Sequence, residues 1–336
     1  MYSYAIIGFG GLGRTHAANL DKIAKERGDI YLKAIYGTTA EEFSKSVSMN
    51  IGTTETSGID ISRCSFYDDY KELIINEKPD MVITALPTFL HEEVAVFALE
   101  NGCHVFSEKP MALTPDGCKN MVDTAQKYDK KLIIGHCLRF SPAYSALKGY
   151  IQSEKWGKPC RAEFTRYSKT PLWTVNNWII DPEKSGGCIL DMHVHDVDLI
   201  NWYFGMPSSV DTIITENKVK AESVFSRFCY DNGLLVTANA DWSLCQKYPF
   251  KSQCSVIFEN AVAEICDDVL TVYTDDEIIT PELSKKHYFE SEMESFIAYV
   301  ADDKESENIS LASVYNSMQI AFSEVAAAKI IKKVNS

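Results

Sequence analysis

One segment near the middle of the chain concentrates side chains that could transfer a proton. It reads GGCILDMHVHDVDLINWYFG from Gly186, and its apolar residues recur at helical spacing. On a helix, Asp191 and His195 are four residues apart and share one face, which Asp198 and Trp202 continue. Histidine is the side chain best matched to accept a proton near neutral pH. The pattern also fits a solvated helix face or a buried histidine with satisfied hydrogen bonds.

The same segment contains residue types that bind metal ions. Asp191, His193 and His195 could be ligands, with Cys188 as a further one. At about 100° per residue, however, His193 lies about 200° around a helix from both Asp191 and His195. We therefore expect no metal site here.

A lysine is the second candidate for chemistry. In HVFSEKPMALT, Lys109 follows an apolar strand and precedes Pro110. The proline keeps Lys109 out of the helical region and restricts its direction. A lysine at a strand end could donate a hydrogen bond to a substrate hydroxyl and stabilise a developing alkoxide. Taken alone, a lysine is more often a solvated surface charge.

The start of the chain, YAIIGFGGLGRTHAANL, predicts a phosphate-binding turn between a strand and a helix. In this GxGxxG pattern Gly8 suits the tight turn, Gly10 lets the backbone approach a pyrophosphate, and Gly13 allows the helix to pack closely on the strand. The free N–H groups at the helix start, which includes Gly11 and Leu12, and the positive end of the helix dipole both favour phosphate. We predict that this turn binds a dinucleotide.

The end of the second strand bears on which dinucleotide binds. NAD enzymes usually carry an acid there for the ribose 2′-hydroxyl, but this chain reads AIYGTTAEEF, with Gly37 at that position. Asp29 has roughly the right spacing from the glycines but precedes the strand. A 2′-phosphate would meet no carboxylate, and Thr38 and Thr39 offer hydroxyl donors. We therefore predict NADP as the preferred cofactor. Because no arginine lies in the turn to clamp the 2′-phosphate, use of NAD stays open.

Alternating strands and helices must position these groups. Apolar strands and helices follow one another to about residue 135, which predicts an α/β domain over 1–135 with a doubly wound parallel sheet. Such sheets bind ligands at the carboxyl ends of their strands. These ends are expected at Gly8 to Gly13, Tyr36 to Thr39, Pro87 to His91 and Ser107 to Pro110.

Beyond residue 135 the pattern changes to half-buried strands. LVTANADWS alternates apolar and polar residues, and Asn232-Gly233 is a strong hairpin signal. We predict an α+β domain over 136–336, built on an open, predominantly antiparallel sheet with one covered face. The other face is expected to pair subunits into a homodimer or homotetramer. A final helix is expected to pack through a stripe of Leu311, Val314, Met318, Phe322, Val325 and Ala328.

Composition limits the class of partner. The net charge of −14, without a basic cluster, opposes binding to nucleic acid or anionic membranes, so we expect small-molecule partners. Ten cysteines without CxxC spacing indicate reduced thiols. No apolar stretch approaches the roughly 18 residues of a membrane span, and the chain starts directly with a predicted strand. We expect a cytoplasmic protein.

Together these motifs resemble the Gfo/Idh/MocA family of oxidoreductases. The resemblance rests on GFGGLGRTH from Gly8, PTFLH from Pro87, EKP from Glu108, HCLRFSP from His136 and DxxxHxxD from Asp191, and it extends over essentially the whole chain. It implies a Rossmann domain and NAD(P)-dependent hydride transfer between nicotinamide and a hydroxyl or carbonyl carbon of a sugar, polyol or inositol.

The resemblance also implies the residues of the site. Lys109, Asp191 and His195 match the catalytic trio of members such as inositol dehydrogenase, in which the Lys-Pro bond is commonly cis. Thr88 is further expected to cap the helix after Pro87. The residues implied along the cofactor are Gly8, Gly10, Gly11, Leu12, Gly13, Gly37, Thr38, Thr39, Pro87, Thr88, His91, Glu108 and Arg139. Those implied along the sugar are Trp173, Asn177 and Trp178.

Two other functions stay open at this point. A regulatory protein that senses a dinucleotide without turnover would keep the fold, although an intact Lys109, Asp191 and His195 argue against it. A metal-dependent lyase or hydrolase that uses Asp191 and His193 would need the metal site that the helical geometry disfavours.

Overall fold

The structure, a computed structural model, describes residues 1–45, 47–49, 52–172, 174–216, 219 and 222–332. Contacts divide the chain into two compact units. The first unit comprises Met1–Cys137 and His287–Leu311, and the second comprises Leu138–Lys286 and Ala312–Ser336. The sequence placed the boundary at residue 135 and assigned 287–311 to the second domain.

The first unit is built on a six-stranded parallel sheet. Strands of three to seven mostly apolar residues, such as YSYAII, are typical of a sheet covered on both faces. Spatial order is β5-β2-β1-β6-β7-β8, with a separate two-stranded ladder of β3 and β4. The strands are β1 (Tyr2–Ile7), β2 (Ile30–Tyr36), β3 (Val47–Met49), β4 (Gly52–Thr54), β5 (Ser65–Tyr67), β6 (Met81–Thr84), β7 (His104–Glu108) and β8 (Leu132–Gly135).

Helices connect these strands and cover the sheet. Their bounds are α1 (Gly11–Arg27), α2 (Ala40–Phe43), α3 (Tyr70–Glu77), α4 (His91–Glu100), α5 (Pro115–Lys127) and, from the later segment, α10 (Tyr288–Asp302). Helix α10 packs on α1, and its Phe296 ring lies 5.8 Å from that of Phe106 in β7. The apolar face of α10 is therefore buried in the first unit, which explains why contacts assign it there.

The second unit contains a nine-stranded mixed sheet. Its order is β16-β15-β14-β13-β9-β12-β11-β10-β17, and its described pairs are antiparallel except β9 with β12 and β10 with β17. The strands are β9 (Pro159–Lys169), β10 (Ser209–Glu216), β11 (Ser223–Cys229), β12 (Leu235–Leu244), β13 (Lys251–Phe258), β14 (Val262–Cys266), β15 (Val269–Tyr273), β16 (Ile278–Ile279) and β17 (Lys329–Lys332).

One face of this sheet is covered by helices. The alternation in β12 holds, because Val236, Ala238, Ala240 and Trp242 are all buried. The hairpin at Asn232-Gly233 joins β11 to β12, with Gly233 at a φ of 87°. The helices are α6 (Pro142–Gln152), α7 (Pro182–Ser185), α8 (Gly187–Asp191), α9 (Val194–Phe204) and α11 (Leu311–Ala327).

The predicted fold class is confirmed, and two details of it are wrong. The doubly wound sheet and the open, mostly antiparallel sheet are both present. The predicted apolar stripe of the last helix, however, does not extend to Val325, which is 45% exposed. The segment that contains Asp191 and His195 is not one helix, because α8 ends at Asp191 and α9 begins at Val194.

Candidate active site

The glycine turn leaves room for a ligand at the start of α1. A Cβ on Gly8 would lie 2.5 Å from the Ala85 carbonyl oxygen, and one on Gly13 would lie 2.0 Å from the Gly8 carbonyl oxygen, so backbone packing requires both glycines. A Cβ on Gly10 would meet no described protein atom within 4 Å. Helix α1 begins at Gly11, and in the described part of the chain no side chain caps it. Its first N–H groups can therefore hold a phosphate.

The end of β2 lies beside this turn. Gly37 has a φ of 93°, which favours glycine, and a Cβ on it would lie 3.5 Å from the Phe9 nitrogen. Thr38 is buried, whereas Thr39 is exposed and its hydroxyl accepts a hydrogen bond of 3.3 Å from the Glu42 N–H. Thr39 is thus the N-cap of α2 and reaches the edge where the glycine turn lies.

Arg14 lies close to this edge but is already bonded inside the first unit. Its guanidinium donates to the Phe43 carbonyl at 2.6 Å and to the Glu42 carbonyl at 3.0 Å, and it stacks on the Phe9 ring at 4.6 Å. Arg14 therefore closes the carbonyl end of α2, and these bonds orient it toward protein acceptors.

The turn after β6 differs from its prediction. Thr88 was expected to cap the following helix, but it starts a 3-10 turn, Thr88–Leu90, in which no side chain of the described residues caps the N-terminus. Because this turn comes first, α4 begins at His91, with Leu90 at its N-cap. Pro87 is the residue before the turn, and Thr88 is buried.

His91 links the turns that follow β6 and β7. Its Nδ1 lies 2.8 Å from the Pro110 carbonyl oxygen, and its Nε2 lies 2.9 Å from the Leu86 carbonyl oxygen. Burial lowers the pKa of His91, although the two carbonyl contacts oppose this. The ring is inside the first unit, so it positions the backbone of both turns.

Lys109 follows β7 at the same edge. It is half-exposed between the buried Glu108 and Pro110, and its bond to Pro110 is cis, as the resemblance implied. The Glu108 carboxylate accepts a hydrogen bond of 3.2 Å from the Lys109 N–H and lies 2.7 Å from Nε2 of His16. Burial raises the pKa of Glu108, but the His16 hydrogen bond and nearby positive charge outweigh it and lower the pKa overall. Glu108 is therefore an anionic anchor behind Lys109.

The second unit holds the other two predicted catalytic residues. Asp191 ends α8 and His195 lies in the first turn of α9, and each is half-exposed within an otherwise buried segment. Asp198 and Trp202 do not continue that accessible face, because both are buried. Asp191 and His195 are thus the members of the predicted stripe that a substrate could reach.

Buried ion pairs hold the α9 segment in place. The Arg139 guanidinium donates two hydrogen bonds of 2.7 Å to Asp198, and the Arg166 guanidinium donates bonds of 2.7 and 3.1 Å to Asp196. Arg139 was expected near the nicotinamide, and its side chain lies inside the second unit. Arg166 was not predicted from the sequence, although a charged residue at an inward position of β9 is a signal for a buried ion pair.

The residues implied along the sugar lie before α7. Trp173 is outside the described residues. Asn177 is exposed and has a φ of 50° in the 3-10 turn Val175–Ile180, and Trp178 is half-exposed. Asparagine tolerates this left-handed backbone better than most residues. The turn therefore presents an amide and an indole at the surface of the second unit.

The expectation that no metal binds is not tested by the structure. In the described portions of the chain, no group of three or more His, Cys, Asp or Glu side chains could hold a metal ion. Among the described helices, none is both long and apolar enough to cross a membrane.

Two family models match this chain. The oxidoreductase family model, described as an NAD-binding Rossmann fold, matches residues 2–136, and the GFO/IDH/MocA C-terminal domain model matches residues 144–264. The chain belongs to the Gfo/Idh/MocA oxidoreductase family. The resemblance predicted from the motifs is confirmed, and both sheets of the structure fit the Gfo/Idh/MocA fold.

Several Gfo/Idh/MocA relatives carry names that describe an activity. The chain is 30% identical over 208 residues to 2,7-anhydro-N-acetylneuraminate hydratase of Mediterraneibacter gnavus. This alignment covers 62% of this chain and 50% of the relative. The chain is 27% identical over 212 residues to inositol 2-dehydrogenase of Salmonella paratyphi B, and that alignment covers 59% of this chain and 58% of the relative. The alignments thus span about half the length of these relatives.

A solved structure shares the fold over nearly the whole length. Levoglucosan dehydrogenase, in complex with NADH and levoglucosan, superposes with a TM-score of 0.80 at 17% identity and covers 97% of this chain and 96% of its own. At this identity the likeness concerns the fold alone.

Proposed function

We propose that the protein is an NAD(P)-dependent oxidoreductase that transfers a hydride between nicotinamide and a CH–OH or carbonyl carbon of a sugar, polyol or inositol. The observation that carries the proposal is the open space at Gly10, at the uncapped start of α1 as far as the structure describes it. Gly8 and Gly13 are required by packing, but Gly10 is not, which is what a phosphate cradle needs. The relative named as an inositol 2-dehydrogenase supports this class of reaction.

Lys109, Asp191 and His195 are the catalytic residues of this proposal. In the oxidative direction Lys109 donates a hydrogen bond to the substrate hydroxyl and polarises it. His195 accepts the hydroxyl proton, and Asp191 orients His195 and tunes its basicity. A bound nicotinamide supplies the hydride acceptor or donor. The half-exposure of all three side chains supports these roles.

The cofactor lies along the carboxyl edge of the first sheet. We assign the phosphates to the N–H groups of Gly11, Leu12 and Gly13, with Gly10 giving access, and the adenosine ribose to Gly37, Thr38 and Thr39. Pro87 and Thr88 line the next part of the edge. His91 and Glu108 act from behind this edge, because their side chains are already bonded to protein groups. Arg139 is bonded to Asp198 and supports α9 within the second unit.

We propose NADP as the preferred cofactor, with NAD accepted as a second. The exposed Thr39 hydroxyl and the absence of an acid at Gly37 support NADP. The bonds of Arg14 to the Glu42 and Phe43 carbonyls turn this arginine away from a clamp on the 2′-phosphate, which supports dual use.

The substrate site is assigned to the second domain, 136–336, and the cofactor site to the first, 1–135. Asn177 and Trp178, together with Trp173, are proposed to line the sugar, since indole faces stack well on carbohydrate CH groups.

We further propose a cytoplasmic homodimer or homotetramer that pairs through the exposed face of the nine-stranded sheet, with neither nucleic acid nor membrane as partner.

A ligand panel tests the proposed function. Thermal unfolding is followed with NADP, with NAD and with each cofactor plus inositols, hexoses, glucosides and an anhydro-sugar acid. At 100 times its Kd a ligand that binds only the native state stabilises by about 2.7 kcal/mol. We expect the midpoint to rise more with NADP than with NAD.

Turnover on the same panel decides between functions. Reduced-nicotinamide absorbance and substrate mass are recorded together. One relative is named as a hydratase, and hydration involves no net oxidation of the substrate. Cofactor reduction with loss of two hydrogens from the substrate supports the proposal. Cofactor binding without conversion of any panel member contradicts it and favours a dinucleotide-sensing protein.

A further inference from the structure

Helix α11 buries an acid where an apolar residue was available. Glu324 is fully buried, whereas Val325 beside it is 45% exposed. An amphipathic helix that packed only for apolar contact would turn Val325 inward, as the sequence predicted. Burial of a carboxylate is unfavourable unless it is paired. The orientation of α11 therefore points to a specific partner for Glu324.

That partner is His193. Its Nε2 lies 2.9 Å from Oε1 of Glu324, and both side chains are fully buried in the second unit. Burial lowers the pKa of His193, but the charge and hydrogen bond of Glu324 and the charge of Asp196 in α9 outweigh this and the opposing Arg166 in β9, so the pKa is raised overall. The buried contact with Glu324 thus favours the protonated form of His193.

His193 is the joint between the two helices that carry Asp191 and His195. The N–H groups of Met192 and His193 both donate to the Cys188 carbonyl, at 3.1 and 2.8 Å, which ends α8. The His193 carbonyl then accepts the first bonds of α9, including that from the Asp196 N–H at 2.9 Å. The backbone at His193 sets how Asp191 and His195 are oriented to each other.

The rest of α9 is anchored without this pair. Asp196 and Asp198 are held by their arginines, and Asn201 Nδ2 donates to the Ser313 carbonyl at 2.7 Å and to the Ser317 hydroxyl at 3.0 Å. Among the described residues, the His193–Glu324 contact lies at the joint itself, apart from these other anchors of α9.

We propose that His193 and Glu324 are a positioning pair that sets the break between α8 and α9 and thereby aligns Asp191 with His195. This inference rests on the proposed function, in which those two residues act on the substrate hydroxyl. Glu324 acts through His193 and touches neither substrate nor cofactor.

Three variants separate positioning from mere packing. Glu324→Gln keeps the shape but removes the charge, and His193→Gln keeps a donor toward Glu324. Asn201→Ala removes polar contacts elsewhere between α9 and α11 and is the matched control. For the charge-removing variants we expect kcat to fall about 10- to 100-fold, with the KM for NADP within about twofold of wild type. The control is expected to lower the unfolding temperature at least as much, with kcat unchanged.

A titration of the imidazole signals by NMR supplies a readout without substrate. The pH midpoint of the His195 imidazole signal should shift in Glu324→Gln and stay at its wild-type value in Asn201→Ala. Because this measurement needs no turnover, it tests the pair even where no panel substrate is converted, which would be a failure of the proposed function only. Unchanged kcat and titration in Glu324→Gln, equal losses in the control, or failure of both charge-removing variants to fold would each overturn the proposal.

Discussion

At the scale of single residues, exposure separates the side chains that can touch a substrate from those that support them. Lys109, Asp191 and His195 are each half-exposed, whereas Glu108 next to Lys109 is buried and bonded to His16. The candidate trio could be recognised from the sequence, because each residue lies in a short contiguous motif. Lys109 lies in EKP, and Asp191 and His195 lie in DxxxH. The supporting partners could not, since His16 and Glu108 are 92 residues apart along the chain.

A second buried carboxyl next to Glu108 predicts a pH-dependent stability. Glu292 is fully buried, and neither of its oxygens has a hydrogen-bond partner among the residues described. Burial and the negative charge of Glu108 raise the pKa of Glu292 well above its ordinary value. A raised pKa stabilises the fold fully below the unfolded pKa and loses this contribution as the pH rises through the folded pKa.

We therefore expect Glu292→Gln to gain stability relative to wild type as the pH rises. Thermal unfolding measured from about pH 5 to about pH 8 should show similar midpoints at the acid end and a variant higher by at least about 2 °C at the basic end. Glu294→Gln, half-exposed on the same helix, is the control and should show no such divergence. A constant difference across the range would contradict a raised pKa of Glu292.

At the scale of elements, two glycines of the turn between β1 and α1 should respond differently to substitution by alanine. Gly13→Ala forces a Cβ to 2.0 Å from the Gly8 carbonyl oxygen, and should destabilise the protein by about 1 to 3 kcal/mol. Gly10→Ala meets open space, so the free energy of unfolding without ligand should stay within about 1 kcal/mol of wild type.

The cofactor response of these two variants is the deciding measurement. Gly10→Ala should lose most of the midpoint rise caused by NADP, because its methyl group occupies the phosphate position. Gly13→Ala, where it folds, should retain a rise. A full NADP response in Gly10→Ala would show that the turn is structural and not a phosphate cradle.

Elements with a strong local pattern could be predicted, and those that depend on distant contacts could not. Strands β1, β2, β6, β7 and β8 are mostly apolar and were all expected. The three-residue β5 lacks enough sequence to show a period. The break between α8 and α9 was missed because it occurs where His193 contacts Glu324, 131 residues later.

At the scale of the whole chain, segments that are distant in the sequence pack in the same unit. Helix α10 lies along the chain between strands β16 and β17 of the nine-stranded sheet but belongs to the first unit. The apolar spacing predicts such a helix but not the surface that it covers, which depends on partners such as Phe106 in β7. The order of elements along the chain therefore does not show which unit this helix packs in.

The exposed face of the second sheet predicts an interface between copies. Phe225 is 41% exposed and pairs in register with Ile213, which is 39% exposed. Phe225→Lys should shift the protein toward a monomer of 37.7 kDa in light scattering after gel filtration. Ile75→Lys, at an exposed position of α3, is the control and should keep the wild-type mass. A monomeric wild-type protein would contradict the proposed pairing.

The most direct test of the proposed hydride transfer is the turnover of Lys109→Ala on a substrate identified with the wild-type protein. Lys109 is the candidate catalytic group of the first unit, and its removal leaves the glycine turn intact. We predict that kcat/KM falls by at least about 100-fold, while the rise in unfolding midpoint caused by NADP is retained. Turnover within about threefold of wild type would contradict the assignment of Lys109, and with it the proposed mechanism.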